Sequence, residues 1–243
     1  MPAKLFGLIG RQLSHSYSAQ YFNQKFAAQN LDALYKLFEI AEINQLTDLI
    51  SRYHNLVGLN VTIPYKQEII HLLDRVTPQA LAVNAVNTIK IIDGKCCGYN
   101  TDVFGFEQTL QNIHIANKTA LIFGFGGAAQ AIAYVLKQHQ FQFLFVVRCK
   151  TNPHQILFSE LDNSIIKQHT LLINCTPVGM YPITNLLPLP YAALTPTHVC
   201  YDLVYNPTIT PFLAEAQKHG AIIKNGLEML HLQAEASWKI WQT

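Results

Sequence analysis

A glycine-rich turn between an apolar strand and an apolar helix limits the possible folds of this chain more than any other feature. Thr119–Phe123 is a short apolar run, Gly124-Phe125-Gly126-Gly127-Ala128-Ala129 follows it, and Ala128–Lys137 has helical character. Glycines at such a turn let backbone N–H groups approach a pyrophosphate at the positive end of a helix. The pattern therefore predicts a dinucleotide-binding turn. A membrane span is the alternative for the nearly uncharged segment 119–136, but its three glycines and the short strands predicted after it argue against that.

The segment after the turn indicates which dinucleotide is bound. In NAD-binding proteins with this pattern, an acidic residue about 20 positions further on holds the adenosine ribose. Here no carboxylate occurs before Glu160, and the predicted strand Phe143–Val147 runs into Arg148, Cys149 and Lys150. An arginine at this point suits a ribose that carries a 2′-phosphate. The sequence thus predicts NADP as the cofactor.

The composition is that of an ordinary globular protein, and it argues against several function classes. Of the 243 residues, 50% are hydrophobic and 13% charged, and the net charge is +2, so nothing indicates a disordered chain or a nucleic-acid-binding surface. The first apolar segment is too short for a signal peptide, and five scattered cysteines indicate reduced thiols in the cytoplasm. The cysteine and histidine spacings do not match a zinc site, so we expect no metal.

Two successive series of alternating strands and helices predict an α/β fold with two domains. The first series starts with the strand Leu5–Ile9 and contains a hairpin, Val86–Ile92 with Lys95–Tyr99, turned by Asp93-Gly94. The second series starts near the glycine turn. We place the boundary near Asp102, so that an α/β substrate domain precedes a Rossmann-like cofactor domain. Because small-molecule sites favour crevices between domains, we expect the active site in the cleft between the two.

Three polar segments lie at predicted strand ends and loops of the first domain. They are Ser14-His15-Ser16-Tyr17-Ser18, Asn60-Val61-Thr62-Ile63-Pro64-Tyr65-Lys66 and Gly98-Tyr99-Asn100-Thr101-Asp102. Each has a plainer explanation, since serines and Asp102 can cap helices and a lone lysine is more often a solvated surface charge. Together they indicate a site for hydride transfer between a nicotinamide and an alcohol or ketone, which needs a proton moved at the same oxygen. A pair formed by Lys66 and Asp102 can move that proton.

At these residues the sequence resembles the shikimate dehydrogenase family, from Leu5 to Trp241. The motifs occur in the family's order, and the Lys66 and Asp102 segments are the most specific of them. The resemblance is carried by His15-Ser16-Tyr17-Ser18, Asn60–Lys66, Ala85-Val86-Asn87-Thr88, Gly98–Asp102, Gly124–Ala128, Ile173–Met180, Tyr201–Pro207 and Asn225–Leu230 with Gln233.

The resemblance implies a reversible, NADPH-dependent reduction of 3-dehydroshikimate to shikimate, a step of aromatic amino acid biosynthesis. It implies that Lys66 and Asp102 are the catalytic pair. In this family the last helix folds back onto the substrate domain. The resemblance therefore implies a substrate domain made of residues 1–102 and 226–243 and an NADP-binding domain made of residues 103–225.

The resemblance also assigns roles to individual residues, all of which are expectations at this point. The substrate would be held by Ser16 and Ser18 at its carboxylate and by Thr62, Asn87, Tyr205 and Gln233 around its ring. The cofactor would be held at its pyrophosphate by Gly124, Phe125, Gly126, Gly127 and Ala128, at its 2′-phosphate by Arg148 and Lys150, and along the path to the nicotinamide by Thr176, Leu203 and Gly226.

One departure from the family pattern and two alternatives complete the interpretation. Many members have Asn-Arg-Thr where this chain has Val147-Arg148-Cys149, which weakens the expected preference for NADP unless Lys150 compensates. The first alternative is a quinate or quinate/shikimate dehydrogenase, and an acidic residue in the 2′-phosphate pocket would favour NAD-linked quinate oxidation. The second is a catalytically silent sensor of nucleotides or metabolites, which should have lost Lys66 or Asp102. We expect a small-molecule substrate, no nucleic acid or membrane partner, and a monomer or homodimer.

Overall fold

The computed structural model describes residues 2–13, 16–182 and 184–243, which form two compact units. The first unit comprises residues 1–101 and 234–243, and the second comprises residues 102–233. Each unit contains one β-sheet with helices, so the predicted α/β class is confirmed. None of the described helices has the length and apolarity needed to cross a membrane.

The first unit alternates strands and helices before it ends in a hairpin. Its elements are β1 (Lys4–Gly10), α1 (Ser18–Ala28), β2 (Ala33–Glu39), α2 (Gln45–Arg52), β3 (Leu56–Val61), a 3₁₀ helix (Glu68–Leu72), β4 (Arg75–Val76), α3 (Pro78–Val83), β5 (Thr88–Ile92) and β6 (Lys95–Tyr99).

The second unit continues the alternation. Its elements are α4 (Asp102–Gln111), β7 (Thr119–Phe123), α5 (Gly127–Gln138), β8 (Gln142–Val147), β9 (Gln155–Leu157), α6 (Asn163–Gln168), β10 (Leu171–Asn174), β11 (Val199–Asp202), α7 (Pro211–Lys218), β12 (Ile222–Lys224) and α8 (Leu227–Gln242), with short 3₁₀ helices at Phe158–Glu160 and Tyr191–Ala193. The last turns of α8 belong to the first unit.

The sheet of the first unit has the strand order β2-β1-β3-β5-β6-β4. The first three strands are parallel, which brings the carboxyl ends of β1 and β3 to the same edge. The predicted hairpin is confirmed, with Asp93 at φ 51° and Gly94 at φ 75°, as a tight turn between antiparallel strands requires. It makes this sheet mixed, because β5 is antiparallel to both β3 and β6.

The sequence predicts a helix from Pro64 to Leu73, and this prediction is wrong for most of the segment. Only Glu68–Leu72 is helical, and it is a 3₁₀ helix. The Lys66 carbonyl accepts a hydrogen bond of 2.7 Å from the Val86 backbone N–H, so it is engaged outside the helical pattern, and the Ile70 N–H bonds to Gln67 instead. A contact distant in sequence thus overrides the local preference. By contrast, Thr77-Pro78 in the sequence predicts the start of a helix, and this prediction is confirmed: the Thr77 hydroxyl accepts from the Ala80 N–H, and Pro78 is the first residue of α3.

The sheet of the second unit has the order β12-β11-β10-β7-β8-β9, and all its pairs are parallel. Counted within this unit the order is 6-5-4-1-2-3, the doubly wound arrangement of a Rossmann fold. The chain reverses its direction of winding between β7 and β10. Ligands of such sheets bind outside the carboxyl ends of the strands at this point, so the topology predicts the site before any side chain is considered.

Candidate active site

The glycine turn lies at the carboxyl end of β7, on one side of the point where the strand order reverses. Gly124 has φ +103°, which L side chains rarely adopt, and a Cβ there would come 3.1 Å from the Thr176 side chain. Gly126 is the N-cap of α5, and a Cβ built on it has no neighbour within 4 Å. The N-terminus of this 12-residue helix is therefore open beside Gly126, as close approach of an anionic phosphate requires.

The other side of the reversal point is the end of β10, where a buried polar cluster holds Thr176. The Asn174 Oδ1 accepts from the Thr176 N–H at 3.0 Å and from the Thr176 hydroxyl at 2.7 Å. The Asn174 Nδ2 donates to Asp202 at 2.9 Å. These hydrogen bonds of Asn174 join the carboxyl ends of β10 and β11 and orient the Thr176 backbone beside the glycine turn.

Asp202 is fully buried and accepts three hydrogen bonds, from Asn174, the Val204 N–H and the Thr210 hydroxyl. Burial raises the pKa of Asp202 to about 6, although these three hydrogen bonds act in the opposite direction. Thr210 also caps α7 by accepting from the Leu213 N–H. Sequence reasoning missed Asp202 as a support of the site, although it ends a strand within the motif Tyr201–Pro207.

The two residues predicted to bind the 2′-phosphate follow β8, and one of them, Lys150, forms an ion pair. Arg148 and Lys150 are both exposed. The Lys150 ammonium pairs with Glu160 at 2.6 Å, and Glu160 also accepts from the Leu157 N–H at 2.5 Å. These partners, the Leu157 N–H first, lower the pKa of Glu160, so it is ionised at neutral pH. Glu160 lies ten residues after Lys150, and its carboxylate reaches Lys150 because β9 pairs with β8. The sequence did not reveal this pairing.

Leu203 and Gly226 also meet within the second unit. A side chain at position 226 would collide with the Leu203 carbonyl, and the Gly226 N–H donates to Val204 at 3.3 Å. The half-buried Tyr205 follows two residues after Leu203. Gln233 lies on α8, where its Nε2 donates to the Leu230 carbonyl at 2.9 Å. A Cβ added at Gly105 would approach Gln233, so a glycine on α4 leaves room for this part of α8.

In the first unit, the predicted substrate residues follow the adjacent parallel strands β1 and β3. Ser16 accepts a 3.3 Å hydrogen bond from the Ser18 N–H, and Ser18 is the first residue of α1. The side chain of Ser16 therefore serves the helix start, while Ser18 is half-buried. The Thr62 N–H donates to the Ile9 carbonyl at 3.0 Å, which joins the ends of the two strands. Of the first polar segment, Ser14 and His15 lie outside the described residues.

Lys66 and Asn87 lie on segments that are bonded to each other. The Val86 N–H donates to the Lys66 carbonyl at 2.7 Å, and the Asn87 carbonyl accepts from the Val61 N–H at 2.9 Å. Lys66 is half-buried, while Asn87 is only 2% exposed. The Asn87 Oδ1 accepts from the Thr101 N–H at 2.7 Å, and its Nδ2 donates to the Thr101 hydroxyl at 2.9 Å. Asn87 thus fixes the residue that precedes Asp102.

Asp102 is 5% exposed and is the first residue of α4. A carboxylate in the first turn of a helix interacts favourably with the helix dipole. Thr101, the residue before Asp102, is held by its two hydrogen bonds with the buried Asn87. Among the described residues, no group of three or more His, Cys, Asp or Glu side chains is arranged to hold a metal ion.

Known proteins resemble this chain both within its first unit and over nearly its whole length. Residues 8–89 match the family model described as shikimate dehydrogenase substrate binding domain. A shikimate dehydrogenase (NADP(+)) of Symbiobacterium thermophilum is 37% identical over 99% of this chain and 89% of that protein. The crystal structure of shikimate dehydrogenase 1 from Peptoclostridium difficile is 35% identical with a TM-score of 0.86, covering 98% of this chain and 91% of that one.

A solved quinate dehydrogenase has the same fold. The protein from Corynebacterium glutamicum, in complex with NAD, superposes with a TM-score of 0.86 at 27% identity, covering 98% of this chain and 93% of that one. Shikimate dehydrogenases and quinate dehydrogenases therefore share this fold. The higher sequence identity to the shikimate dehydrogenases favours the shikimate activity.

Proposed function

The chain belongs to the shikimate dehydrogenase family, and on this premise we propose that it catalyses the reversible reduction of 3-dehydroshikimate to shikimate with NADPH. The observation that carries the proposal is the full-length relation to NADP-dependent shikimate dehydrogenases, at 37% identity over 99% of the chain. The open glycine turn at the reversal point of the second sheet fits the dinucleotide that this activity needs. NADPH supplies the hydride when it is bound.

We propose that Lys66 and Asp102 move the proton that accompanies the hydride. In the reducing direction the Lys66 ammonium donates a proton to the carbonyl oxygen as negative charge develops there, and in the oxidising direction the neutral amine removes it. Asp102 orients the ammonium toward the reacting oxygen. The half-burial of Lys66 supports this role, because partial removal from water strengthens the hydrogen bond to the reacting oxygen.

We propose that the remaining predicted residues bind the two ligands. Ser16, Ser18, Thr62, Asn87, Tyr205 and Gln233 would hold the substrate, and the glycine turn, Thr176, Leu203 and Gly226 the cofactor. Arg148 would contact the 2′-phosphate. The pairing of Lys150 with Glu160 argues that Lys150 contributes little to that contact. The five cysteines have no spacing typical of a disulfide framework, which supports a reducing compartment, and we propose the cytoplasm.

The test follows nicotinamide absorbance while the purified protein oxidises shikimate or quinate, each with NADP⁺ and with NAD⁺. Turnover of shikimate with NADP⁺ that far exceeds the other three combinations would establish the proposal. Turnover of quinate, or equal use of NAD⁺, would instead place the protein with quinate dehydrogenases. Cofactor binding without turnover of either substrate would favour the sensor. Sedimentation of the same sample distinguishes between the two expected states, a monomer and a homodimer.

A further inference from the structure

A buried network of uncharged polar side chains joins three segments of the first unit, and its centre is a residue that sequence reasoning missed. The hydroxyl of Ser237, on α8, lies 3.0 Å from Asn60 Nδ2, 2.8 Å from Thr88 Oγ1 and 3.1 Å from Thr101 Oγ1. Asn60 lies two residues before Thr62, Thr88 follows Asn87, and Thr101 precedes Asp102. Ser237 therefore contacts residues that lie within two positions of the predicted site residues Thr62, Asn87 and Asp102.

Further hydrogen bonds link the members of this network to each other and to Tyr35. Thr88 and Thr101 lie 3.2 Å apart, Asn60 Nδ2 also donates to the Asn87 carbonyl at 3.2 Å, and the Tyr35 hydroxyl donates to Asn60 Oδ1 at 2.8 Å. Ser237 and Thr88 are 0% exposed, and no other polar member exceeds 6%. Burial of this many polar groups is unfavourable unless each is hydrogen-bonded, so removing one hydroxyl disturbs the others.

Ser237 is held in place by the packing of α8 rather than by the network alone. Trp238 and Trp241, the neighbours of Ser237 on this helix, pack against Phe6 in the aromatic core of the first unit. The Trp241 indole N–H also donates to the Ile89 carbonyl at 2.9 Å. The packing of α8 therefore fixes the position of the Ser237 hydroxyl. The chain before Asp102 can be aligned by its hydrogen bond to this hydroxyl.

We infer that Ser237 is a positioning residue, which orients Asp102 for proton transfer through the Thr101 hydroxyl. The inference rests on the proposed function, because it concerns the proton transfer that Lys66 and Asp102 perform. Ser237 itself touches neither substrate nor cofactor in this role. Its effect should therefore fall on the rate of the chemical step rather than on binding.

The test is Ser237→Ala in the full-length protein, once the wild type has been shown to oxidise shikimate with NADP⁺. We expect kcat to fall about 10-fold or more while the KM for shikimate changes by less than about 3-fold, since small misplacements of catalytic groups act on the transition state. The dissociation constant for NADP⁺ should not change. Absence of wild-type turnover would overturn the proposed function, whereas normal kcat in Ser237→Ala would overturn this inference alone.

A double-mutant cycle separates positioning from general destabilisation. If Ser237 acts through Thr101, then Ser237→Ala combined with Thr101→Val should lower kcat no further than Thr101→Val alone, and additive effects would contradict the inference. Ile240→Ala, on the same helix but outside the network, is the matched control, because it should lower the melting temperature and leave kcat unchanged. Should Ser237→Ala not fold, Ser237→Cys, which keeps the side-chain size and loses the strong hydrogen bond, takes its place in the cycle.

Discussion

The two units place polar groups at the carboxyl ends of their strands in different ways. In the first unit, amides and hydroxyls around Asn87 and Ser237 are buried and bonded to each other. In the second unit, a bare glycine turn and the exposed Arg148 follow β7 and β8, and buried polar groups around Asn174 and Asp202 lie only at the ends of β10 and β11. Proton transfer depends on the placement of a few atoms to within a fraction of an ångström, whereas an anionic cofactor can be bound by backbone N–H groups and mobile cations. The difference suggests that the buried network of the first unit serves the chemical step and that the ends of β7 and β8 in the second unit serve cofactor binding.

The largest expected effect is that of Lys66→Ala. If Lys66 is the general acid of the proton transfer, this variant should lower kcat by roughly 10²-fold or more, because a general acid contributes about that much. Binding of NADP⁺, measured by titration, should remain as in the wild type. Lys95→Ala, which removes an exposed lysine of the hairpin, serves as the control and should turn over normally. Near-normal kcat in Lys66→Ala would remove Lys66 from the mechanism.

Gly124→Ala tests cofactor binding by the second unit and should weaken it. The added Cβ meets the Thr176 side chain at 3.1 Å on a backbone with φ +103°, so the turn must shift. We expect the dissociation constants of both NADP⁺ and NAD⁺ to rise by about 10-fold, since strain of roughly 1–3 kcal/mol is introduced where the pyrophosphate binds. Gly94→Ala is the matched control, because Gly94 also has a positive φ, +75°, but has no neighbour within 4 Å.

The control separates strain from position. Gly94→Ala should lower the melting temperature and leave cofactor binding intact, since the hairpin turn belongs to the first unit. Equal loss of cofactor affinity in the two variants would mean that the turn at Gly124 has no special part in binding.

Arg148→Ala should affect only one of the two cofactors. A charge-assisted hydrogen bond to a phosphate contributes about 1.5–3 kcal/mol, so the dissociation constant of NADP⁺ should rise by about 10-fold or more while that of NAD⁺ stays the same. Lys150→Ala is the matched comparison and should weaken NADP⁺ by less than about 3-fold, because Glu160 already holds this exposed ammonium. Equal losses for NADP⁺ and NAD⁺ in Arg148→Ala would contradict the 2′-phosphate assignment.

The sequence predicted the two regions unequally, for physical reasons. The glycine turn and the Asp93-Gly94 hairpin could be predicted because backbone conformations with positive φ restrict residue type locally. The strand β9 could not, because three residues at a sheet edge carry no periodic signal, and with it the contact of Glu160 with Lys150 was lost. The place of Ser237 in the buried network could not be predicted for a similar reason. One serine on a helix says nothing about the buried amides and hydroxyls that tertiary packing brings to it.

Asp202 gives the smallest expected effect and sharpens the comparison, because it puts a titratable carboxyl into the buried cluster of the second unit. Its pKa is raised by burial from 3.8 to about 6. Between these two values the folded state binds more protons than the unfolded state, so stability falls as pH rises. The contribution should amount to roughly 1 kcal/mol between pH 5 and pH 6. Asp202→Asn should lack it, as denaturant unfolding at the two pH values would show. The same loss in both proteins would mean that Asp202 does not titrate in this range and that other groups set the pH dependence.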